Sequence, residues 1–425
     1  MRKIILIAGR RDGFGERFKA ILDGLAVSRY RDIDFGFMWP RRIGVYQAFN
    51  AIESINATFS SEFAKEFHFL EDDLRNFDSV RPLPSGTALS KEVLEEILAK
   101  DRGSVAIIYE KIDIDSFKDF LAKLNFAELF QSIKFSSNIE NIRSKILQFF
   151  SIVDTGYSGI HIRGGDVIYG PYKNTIFFRN KGYPFALIIA LTEELFRDGV
   201  KVIAFCQDDS VDMILNSSPG VVTSKAIIAE VFGSRAKDFS VLELALADIF
   251  IMLNCNSLYG SVTSGFVGLA AKVKSIEVVD PVKRISASKR IVIYEESLRR
   301  GGYPDVFQES FCLVHMLLDS RIANKRDKQL WAAERLIELQ PQSDLYRALL
   351  IFTYLESDLE TLAENFLKTL TEKEAEVLTI ASCMTKKVAG KYHLKQFLEN
   401  FLAKNFEDKF SLLKALRSEV CRLIN

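Results

Sequence analysis

The chain opens with the segment Ile4-Ile-Leu-Ile-Ala-Gly-Arg-Arg-Asp-Gly-Phe-Gly15, in which an apolar, β-branched run stops at a glycine-bearing turn. Apolar residues then recur at helical spacing, at Phe18, Ile21, Leu22, Leu25 and Ala26. A second apolar run, Phe35-Gly-Phe-Met-Trp39, follows and is ended by Pro40. A strand, a glycine turn, a helix and a strand in this order predict one parallel βαβ unit, the first part of an α/β fold.

The same alternation of strands and helices returns after residue 157. The first strand of this second region contains Ser158-Gly-Ile-His-Ile-Arg163. Further strands are predicted at 200–206, 257–262 and 275–280, and helices at 184–197, 240–253 and 264–272. Between the two regions, 48–100 and 117–152 are mostly helical in pattern, and Ser104–Tyr109 is a further predicted strand of the first sheet. The alternation predicts a second parallel, doubly wound sheet.

Strand patterns stop after residue 305, and residues 308–425 are continuously helical in pattern with Pro341 as their one proline. The helix–Pro–helix arrangement around Pro341 is typical of a tetratricopeptide unit, although no clean second copy follows at the expected period of ~34 residues. We therefore predict three domains: an N-terminal Rossmann-like domain over 1–150, a second one over 151–305, and an all-α extension over 306–425.

Composition narrows the classes of function. The 56 basic and 56 acidic side chains cancel, which argues against nucleic acid as the main partner. Five widely spaced cysteines without a CxxC pair encode no zinc cluster and suit a reducing compartment. The first apolar run is too short for a signal peptide, and no stretch approaches the ~18 apolar residues of a membrane span. A cytoplasmic location is expected, and core filling is the expected use of the 34 phenylalanines.

The segment that carries chemistry is Gly159-Ile-His-Ile-Arg-Gly-Gly-Asp166, at the end of a predicted strand. His161 and Arg163 project to the same side because side chains alternate along a strand. Ligands of open α/β sheets bind beyond the carboxyl ends of the strands. The two glycines permit a tight turn, and the guanidinium offers a planar fork of donors to phosphate oxygens. The pattern predicts a phosphate clamp, but it also fits a plain turn in which Arg163 pairs with Asp166.

Three patches resemble the GT-B fucosyltransferase superfamily. The string His161-Ile-Arg-Gly-Gly-Asp166 is similar to the HxRxGD signature of the α-1,2-fucosyltransferases and their α-1,6- and protein O-fucosyltransferase relatives. Gly13-Phe-Gly-Glu-Arg17 resembles the opening motif, with Trp39-Pro40 after the next strand. Asp248, Met252, Cys255 and Thr263-Ser-Gly-Phe266 resemble a third block. Glu16, Gly164 and Gly265 depart from the pattern, and the last two of these departures leave the donor sugar and the linkage open.

The resemblance implies two Rossmann-like domains that face each other across a cleft (GT-B type), with the nucleotide-sugar donor bound by the second. Arg163 would bind the donor β-phosphate, His161 the nucleotide, and Asp248 the guanine edge. Thr263 and Ser264 would hold phosphate oxygens at a helix N-terminus, a role that the affinity of helix starts for anions supports independently. The remaining residues assigned to the donor site are Gly13, Gly15, Arg17, Phe266 and Asp208. A helix-capping role for Asp208 is equally open.

The implied reaction is an inverting, metal-independent transfer of a sugar, with GDP-fucose as the expected donor and a hydroxyl of a surface polysaccharide as the acceptor. Arg163 would stabilise the charge that develops on the leaving diphosphate. Glu16 and Asp166 are the candidate general bases. Two strings, Asp32-Ile-Asp34 and Asp113-Ile-Asp115, are interpreted as solvated acids, so neither a metal nor another cofactor is expected.

Two alternatives stay open. One is the same fold with a different nucleotide-sugar donor or a protein acceptor. The other is a non-catalytic scaffold of helical repeats whose α/β part senses a nucleotide. The expected partners are a nucleotide sugar and an oligosaccharide or glycolipid acceptor, and no nucleic acid. A peripheral contact with the inner face of the membrane and a homodimer through the C-terminal helices are both compatible with the extension.

Overall fold

The computed structural model describes residues 3–424 except 12, 41–51, 102, 122–123, 154–155, 171–180 and 371–393. It confirms the predicted fold class, a mixed α/β protein with parallel sheets and a helical C-terminal part. Contacts between Cα atoms divide the chain into two compact units. We call them the sheet unit (Met1–His161, Val200–Phe205, Val222–Val279) and the helix unit (Ile162–Gly199, Cys206–Val221, Asp280–Asn425). The domain boundaries at 150 and 305, and the cleft, remain predictions.

The first sheet has the strand order β2-β1-β5-β3 and is parallel throughout. Strand β1 (Ile4–Ala8), helix α1 (Phe14–Arg31) and strand β2 (Asp34–Phe37) form the predicted βαβ unit. Strand β5 (Val105–Tyr109) was also predicted. Strand β3 (Ser79–Pro82) was missed because it is short and exposed, so its apolar pattern is weak. A proline is tolerated there because β3 is an edge strand.

Short elements connect and cover this sheet. Residues 48–100 were predicted to be mostly helical, but their described part also contains β3 and a short strand β4, so the prediction is wrong there. Strand β4 pairs in parallel with β6. The elements are α2 (Ile55–Thr58), α3 (Ser61–Phe67), β4 (Ala88–Leu89), α4 (Lys91–Lys100), β6 (Lys111–Ile112), α5 (Lys118–Leu121), α6 (Phe126–Ser132) and α7 (Ser137–Ile152), with 3-10 turns at Glu71–Asn76 and Ile114–Phe117.

The second sheet has the strand order β11-β10-β7-β8-β9, and β10 pairs in parallel with both β7 and β11. Strands β10 and β11 are shorter than predicted, and β9 and α10 were not predicted. The elements are β7 (Tyr157–Ile162), a π-helical turn (Gly165–Tyr169), α8 (Phe185–Arg197), β8 (Lys201–Cys206), α9 (Asp209–Asn216), β9 (Val221–Thr223), α10 (Ser224–Phe232), a 3-10 turn (Gly233–Asp238), α11 (Val241–Met252), β10 (Ser257–Tyr259), α12 (Gly265–Lys274) and β11 (Val278–Val279).

Every secondary-structure element that the structure describes after β11 is a helix, which agrees with the predicted helical C-terminal part. Two of its helices, α16 and α17, flank Pro341. A tetratricopeptide array remains a prediction. The helices are α13 (Pro281–Arg284), α14 (Ala287–Arg300), α15 (Val306–Ile322), α16 (Arg326–Leu339), α17 (Asp344–Glu356), α18 (Glu360–Leu370), α19 (Leu394–Ala403) and α20 (Ser411–Ile424). No helix in the described ranges is long and apolar enough to cross a membrane.

One hydrophobic core holds the sheet unit together and draws on both sheets. Phenylalanine rings form its centre: Phe59 and Phe135 stack at 6.3 Å, and Phe250 of α11 packs edge-on against Phe135 at 5.9 Å. Core filling is therefore confirmed as a use of the many phenylalanines. Cys255 belongs to the same core, and burial raises the pKa of its thiol to about 12, so it behaves as a small apolar residue.

Candidate functional site

Helices α1 and α12 of the sheet unit lie side by side and run in the same direction. Their contacts follow three successive turns: Gly15 meets Gly265, Lys19 lies beside Gly268, and Asp23 forms an ion pair with Lys272. Because the contacting residues increase in number along both helices, the two N-termini lie next to each other. The turn before α1 and the loop before α12 thus converge, although about 250 residues separate them in the sequence.

Glycine is required where the two helices cross. A Cβ atom at Gly15 would lie 2.3 Å from the carbonyl oxygen of Gly265. A Cβ atom at Gly265 would lie 2.6 Å from both Cγ and Oε1 of Glu16. The first contact is with backbone, which cannot turn aside as a flexible side chain can. The close approach gives a structural reason for the glycine that separates Ser264 from Phe266.

We expect Gly15→Ala to lower the free energy of unfolding by about 1–3 kcal/mol, because the added methyl group must push the two helices apart. Chemical denaturation followed by circular dichroism measures this change. Gly268→Ala is the matched control at the same interface. Its Cβ would lie 3.6 Å from Lys19 Nζ, an ordinary contact, so the higher helix propensity of alanine should leave stability unchanged or raise it. Equal losses in both variants would contradict the close crossing.

Positive potential gathers where the two helices begin. Each helix start carries a partial positive charge from N–H groups without an acceptor in the helix. The Glu16 carboxylate lies there, with Oε2 at 2.9 Å from an Arg10 nitrogen and Oε1 at 2.8 Å from Lys19 Nζ. All three side chains are about a quarter exposed or less. Two cations and two helix starts surround one carboxylate here, and we call this surface the twin-helix site (Arg10, Glu16, Lys19, Ser264, Gly265).

Ser264 is the N-cap residue of α12, yet its side chain caps nothing. An N-cap serine normally accepts a hydrogen bond from the second or third N–H of its helix. The Ser264 side chain makes no such bond, although the residue is only 1% exposed. Among the described residues, its Oγ has no hydrogen-bond partner at all. A buried hydroxyl left unsatisfied costs about 1–3 kcal/mol, so it is expected to bind a group that the described residues do not supply.

The loop between β10 and α12 adds further hydroxyl groups to this surface. Ser261 is buried, and its Oγ lies 2.8 Å from the Thr263 hydroxyl. The Thr263 backbone N–H also donates to Ser261 Oγ, at 3.3 Å. Thr263 is exposed, so its hydroxyl can meet a ligand. The predicted phosphate residues, Thr263 and Ser264, therefore lie at the N-terminus of a ten-residue helix that follows the carboxyl end of a parallel strand.

His161 and Phe266, which the sequence assigned to the same site, stack on each other. Their ring centroids are 5.3 Å apart, with 25° between the ring planes. Phe266 is the second residue of α12 and also approaches Phe14, the first residue of α1, at 6.4 Å. Both His161 and Phe266 are partly buried. The structure thus brings the tip of β7 and the starts of α1 and α12 together within the sheet unit.

Arg17 and Asp208 make contacts with the protein itself. Arg17 is 2% exposed, donates to the carbonyl oxygens of Pro40 (2.7 Å) and Arg11 (3.1 Å), and lies over the Trp39 ring. These contacts fix the turn before α1. Asp208 caps α9 by accepting hydrogen bonds from the N–H groups of Ser210 and Val211. Partial burial opposes its ionisation, but these bonds and those from neighbouring side chains hold its pKa below the ordinary value. A direct donor contact remains a prediction for both residues.

The other predicted residues are placed as follows. Arg163 directly follows β7 and is partly buried, in the helix unit. Asp166 lies in the π-helical turn, and its side chain is outside the described residues. Asp248 is partly buried on α11, and Gly13 precedes the first residue of α1. The ion pair of Lys19 with Glu16 was not predicted, although the spacing of three residues on a helix indicated it.

In the part of the chain that the structure describes, no three His, Cys, Asp or Glu side chains are grouped so as to hold a metal ion. The first predicted DxD string is split between two elements. Asp32 ends α1 in a left-handed conformation (φ 51°), whereas Asp34 begins β2.

The chain was compared with known proteins. No protein-family model and no curated protein matches it. Similar solved structures include the fucosyltransferase NodZ from Bradyrhizobium (16% identity, TM-score 0.36, 64% of this chain and 93% of NodZ). They also include a variant of Arabidopsis thaliana FUT1 in complex with GDP (10%, 0.41, 66% and 70%) and POFUT1 in complex with GDP (11%, 0.34, 66% and 98%). In each comparison about a third of this chain lies outside the match.

Proposed function

We propose that this chain is an inverting, metal-independent glycosyltransferase that transfers a sugar, most simply fucose, from a GDP-linked donor to a glycan hydroxyl. The observation that carries the proposal is the buried Ser264 hydroxyl, for which the described part of the chain offers no hydrogen-bond partner, at the start of α12 and beside the start of α1. A diphosphate supplies the acceptor oxygens that this hydroxyl and the adjacent N–H groups lack. The sequence motif around His161 and Arg163 supports the same ligand.

Each residue has a defined part in donor binding. Ser264, Thr263 and the first N–H groups of α12 hold diphosphate oxygens, and Arg163 binds the β-phosphate through its guanidinium. Asp248 accepts hydrogen bonds from the guanine edge, as the family resemblance implies. The stacked pair of His161 and Phe266 forms a wall beside the phosphate-binding loop. When the sugar–phosphate bond breaks, negative charge builds on the diphosphate, and these fixed donors stabilise the transition state more than the ground state.

Glu16 is the proposed general base that takes the proton of the acceptor hydroxyl. Its carboxylate lies beside the start of α12, next to the proposed diphosphate position. Arg10 and Lys19 hold both carboxylate oxygens in place, so the base is positioned before the acceptor binds. Asp166 is the second candidate. The proposed acceptor is an oligosaccharide or glycolipid of surface polysaccharide synthesis, used at the cytoplasmic face of the membrane.

Titration calorimetry with GDP tests the proposal. We expect the wild-type chain to bind GDP without added metal, and UDP at least about tenfold more weakly, because Asp248 selects guanine by about 1.4 kcal/mol or more. Ser264→Ala should weaken GDP binding by about ten- to a hundredfold, since one hydrogen bond to a charged phosphate is lost. Incubation with GDP-fucose should then yield GDP, with water or an added oligosaccharide as the sugar acceptor.

Ser320→Ala is the matched control, because Ser320 is another buried serine whose Oγ has no partner among the described residues, but it lies on α15 in the helix unit. It should leave GDP affinity unchanged. Equal GDP affinity in the wild type and Ser264→Ala would refute the assignment of Ser264. Binding of GDP-fucose without any turnover would favour the nucleotide-sensing scaffold, and release of another sugar from its GDP conjugate would identify a different donor.

A further inference from the structure

A polar cluster in the helix unit surrounds the phenol of Tyr169, the last residue of the π-helical turn that follows Arg163. The phenol oxygen lies 2.5 Å from Asp208 Oδ2 and 2.7 Å from Asp305 Oδ2. Gln308 Nε2 donates to the phenol oxygen at 3.1 Å and to Asp208 Oδ2 at 3.0 Å. The four side chains come from three separate places: the turn after β7, the start of α9 and the start of α15.

Both aspartates are themselves fixed, because each uses one oxygen to cap a helix and the other to bind Tyr169. Asp208 Oδ1 accepts from the N–H groups of Ser210 and Val211 at the start of α9. Asp305 Oδ1 accepts from the N–H groups of Phe307 (2.8 Å) and Gln308 (3.0 Å) at the start of α15. Burial and the two carboxylates raise the pKa of Tyr169, so the phenol keeps its proton and can donate it to either aspartate.

Apolar packing holds the same turn from its other side. Val167 and Ile168 are buried against Phe311 of α15. The Tyr169 ring meets Phe307 edge-on, with centroids 5.9 Å apart. The turn is therefore attached to α15 by both apolar and polar contacts.

The conformation of this turn sets the position of Arg163. The Ile168 N–H donates to the Gly164 carbonyl oxygen at 2.7 Å, which closes the turn onto the residue after Arg163. The Arg163 carbonyl oxygen packs against Gly182 so closely that a Cβ there would lie 2.6 Å away. Gly182 is in turn packed beneath the Phe311 ring. π-helical turns are rare and recur at functional sites. Here the turn leaves the Arg163 backbone little room to move.

We propose that Tyr169, held by Asp208 and Asp305, is a positioning residue that aims Arg163 at the donor diphosphate, so that α15 of the C-terminal part supports the donor site. Asp208 then acts through Tyr169 and does not touch the donor. The inference rests on the proposed role of Arg163 and assigns a function to the junction with the helical extension. A misplacement of the guanidinium by a fraction of an ångström would weaken its bonds to the β-phosphate in the transition state.

Steady-state kinetics of GDP formation from GDP-fucose, with water or an added oligosaccharide as the acceptor, tests this proposal. Tyr169→Phe keeps the ring and removes the hydroxyl, and we expect kcat to fall by about five- to thirtyfold while KM changes by less than about threefold. In an Arg163→Lys background the same change should lower kcat by less than about twofold. A flexible ammonium group depends less on the exact backbone position than the planar guanidinium does.

Tyr303→Phe is the matched control. It removes another partly buried phenol of the helix unit, whose hydroxyl donates to Cys312 on α15 and does not contact the turn. It should leave kcat unchanged. An equal loss for Tyr169→Phe in both Arg163 backgrounds, or no loss in the wild type, would overturn the positioning role.

If Tyr169→Phe does not fold, Asp305→Ala can be compared in the same two backgrounds, with Arg or with Lys at position 163. It removes one carboxylate but keeps the bond from the Tyr169 hydroxyl to Asp208. We expect it to lower kcat with Arg163 present and to change it little with Lys at position 163. If Arg163→Ala leaves GDP formation intact, the proposed function fails, whereas an insensitive Tyr169→Phe alongside a sensitive Arg163→Ala refutes the positioning role alone.

Discussion

Replacing Arg163 by alanine is expected to reduce the rate of GDP formation from GDP-fucose by roughly 10²–10⁶-fold. The guanidinium supplies two or three charge-assisted hydrogen bonds, each contributing about 1.5–3 kcal/mol, and each 1.4 kcal/mol of transition-state stabilisation corresponds to about a tenfold change in rate. Because the diphosphate gains negative charge as the bond breaks, kcat should fall more than the affinity for GDP. Single-turnover measurements at high enzyme concentration can resolve losses of this size.

Arg299→Ala is the matched control for this loss. Arg299 is an exposed arginine on α14 of the helix unit, paired only loosely with Glu296 at 3.7 Å, so its removal should leave turnover within twofold of the wild type. Arg163→Lys should retain part of the activity, because it keeps the charge but not the two-pronged geometry. A folded Arg163→Ala protein with normal turnover would remove the catalytic part of the proposal.

The second large effect is one of stability. Asp319→Ala is expected to lower the free energy of unfolding by about 3–5 kcal/mol, because it leaves a buried guanidinium without its counterion. Arg290 and Asp319 are 5% and 2% exposed, and two nitrogen–oxygen contacts of 2.7 and 2.5 Å join them across α14 and α15. The Tyr294 hydroxyl also donates to Asp319, at 3.2 Å. Denaturant unfolding measures the change.

The control removes an exposed member of an ion pair in the same unit. Asp358 pairs with Lys404 at 3.1 Å, but its side chain is 76% exposed. Water already solvates the Asp358 carboxylate, and Lys404 keeps Glu360 as its second partner, so Asp358→Ala should cost no more than about 1 kcal/mol. If both variants lose equally little stability, the Arg290–Asp319 pair does not hold α14 and α15 together. If Asp319→Ala also weakens GDP binding, the helix unit would support the donor site more widely than Tyr169 alone.

The predictions succeeded where a short stretch of sequence carries its own signal. The runs Ile4–Ala8 and Val105–Tyr109 are apolar and rich in β-branched residues, and they form the buried strands β1 and β5. Helices α8, α11 and α12 lie within one or two residues of the predicted boundaries, because their apolar residues recur at the helical period. Strand β3 was missed because an exposed edge strand carries no clear pattern of apolar residues. The sequence therefore predicted elements best where burial was extensive.

For the site residues, too, the sequence revealed residue types and positions but not every contact. The glycine, histidine, arginine and hydroxyl residues near strand ends were found from their types and positions alone, since ligands bind beyond the carboxyl ends of parallel strands. For Asp208 the sequence left a helix cap open beside a donor contact, but it did not reveal that Arg17 would bond to the protein's own backbone. An arginine that binds phosphate and one that binds two carbonyl oxygens carry the same donors, so only their surroundings distinguish them.

The sequence by itself determined the α/β class, the helical C-terminal part and the segment His161–Asp166 as the place to look for chemistry, because each depends on periodicity or residue type within a few neighbouring residues. Only the tertiary structure decided that α1 and α12 cross at two glycines, that Glu16 lies between Arg10 and Lys19 at the start of α12, and that Tyr169 joins two helix caps. The physical reason is the distance along the chain over which each signal acts. A local pattern states which face of a helix is buried, whereas the partner of that face is chosen by packing across the whole core.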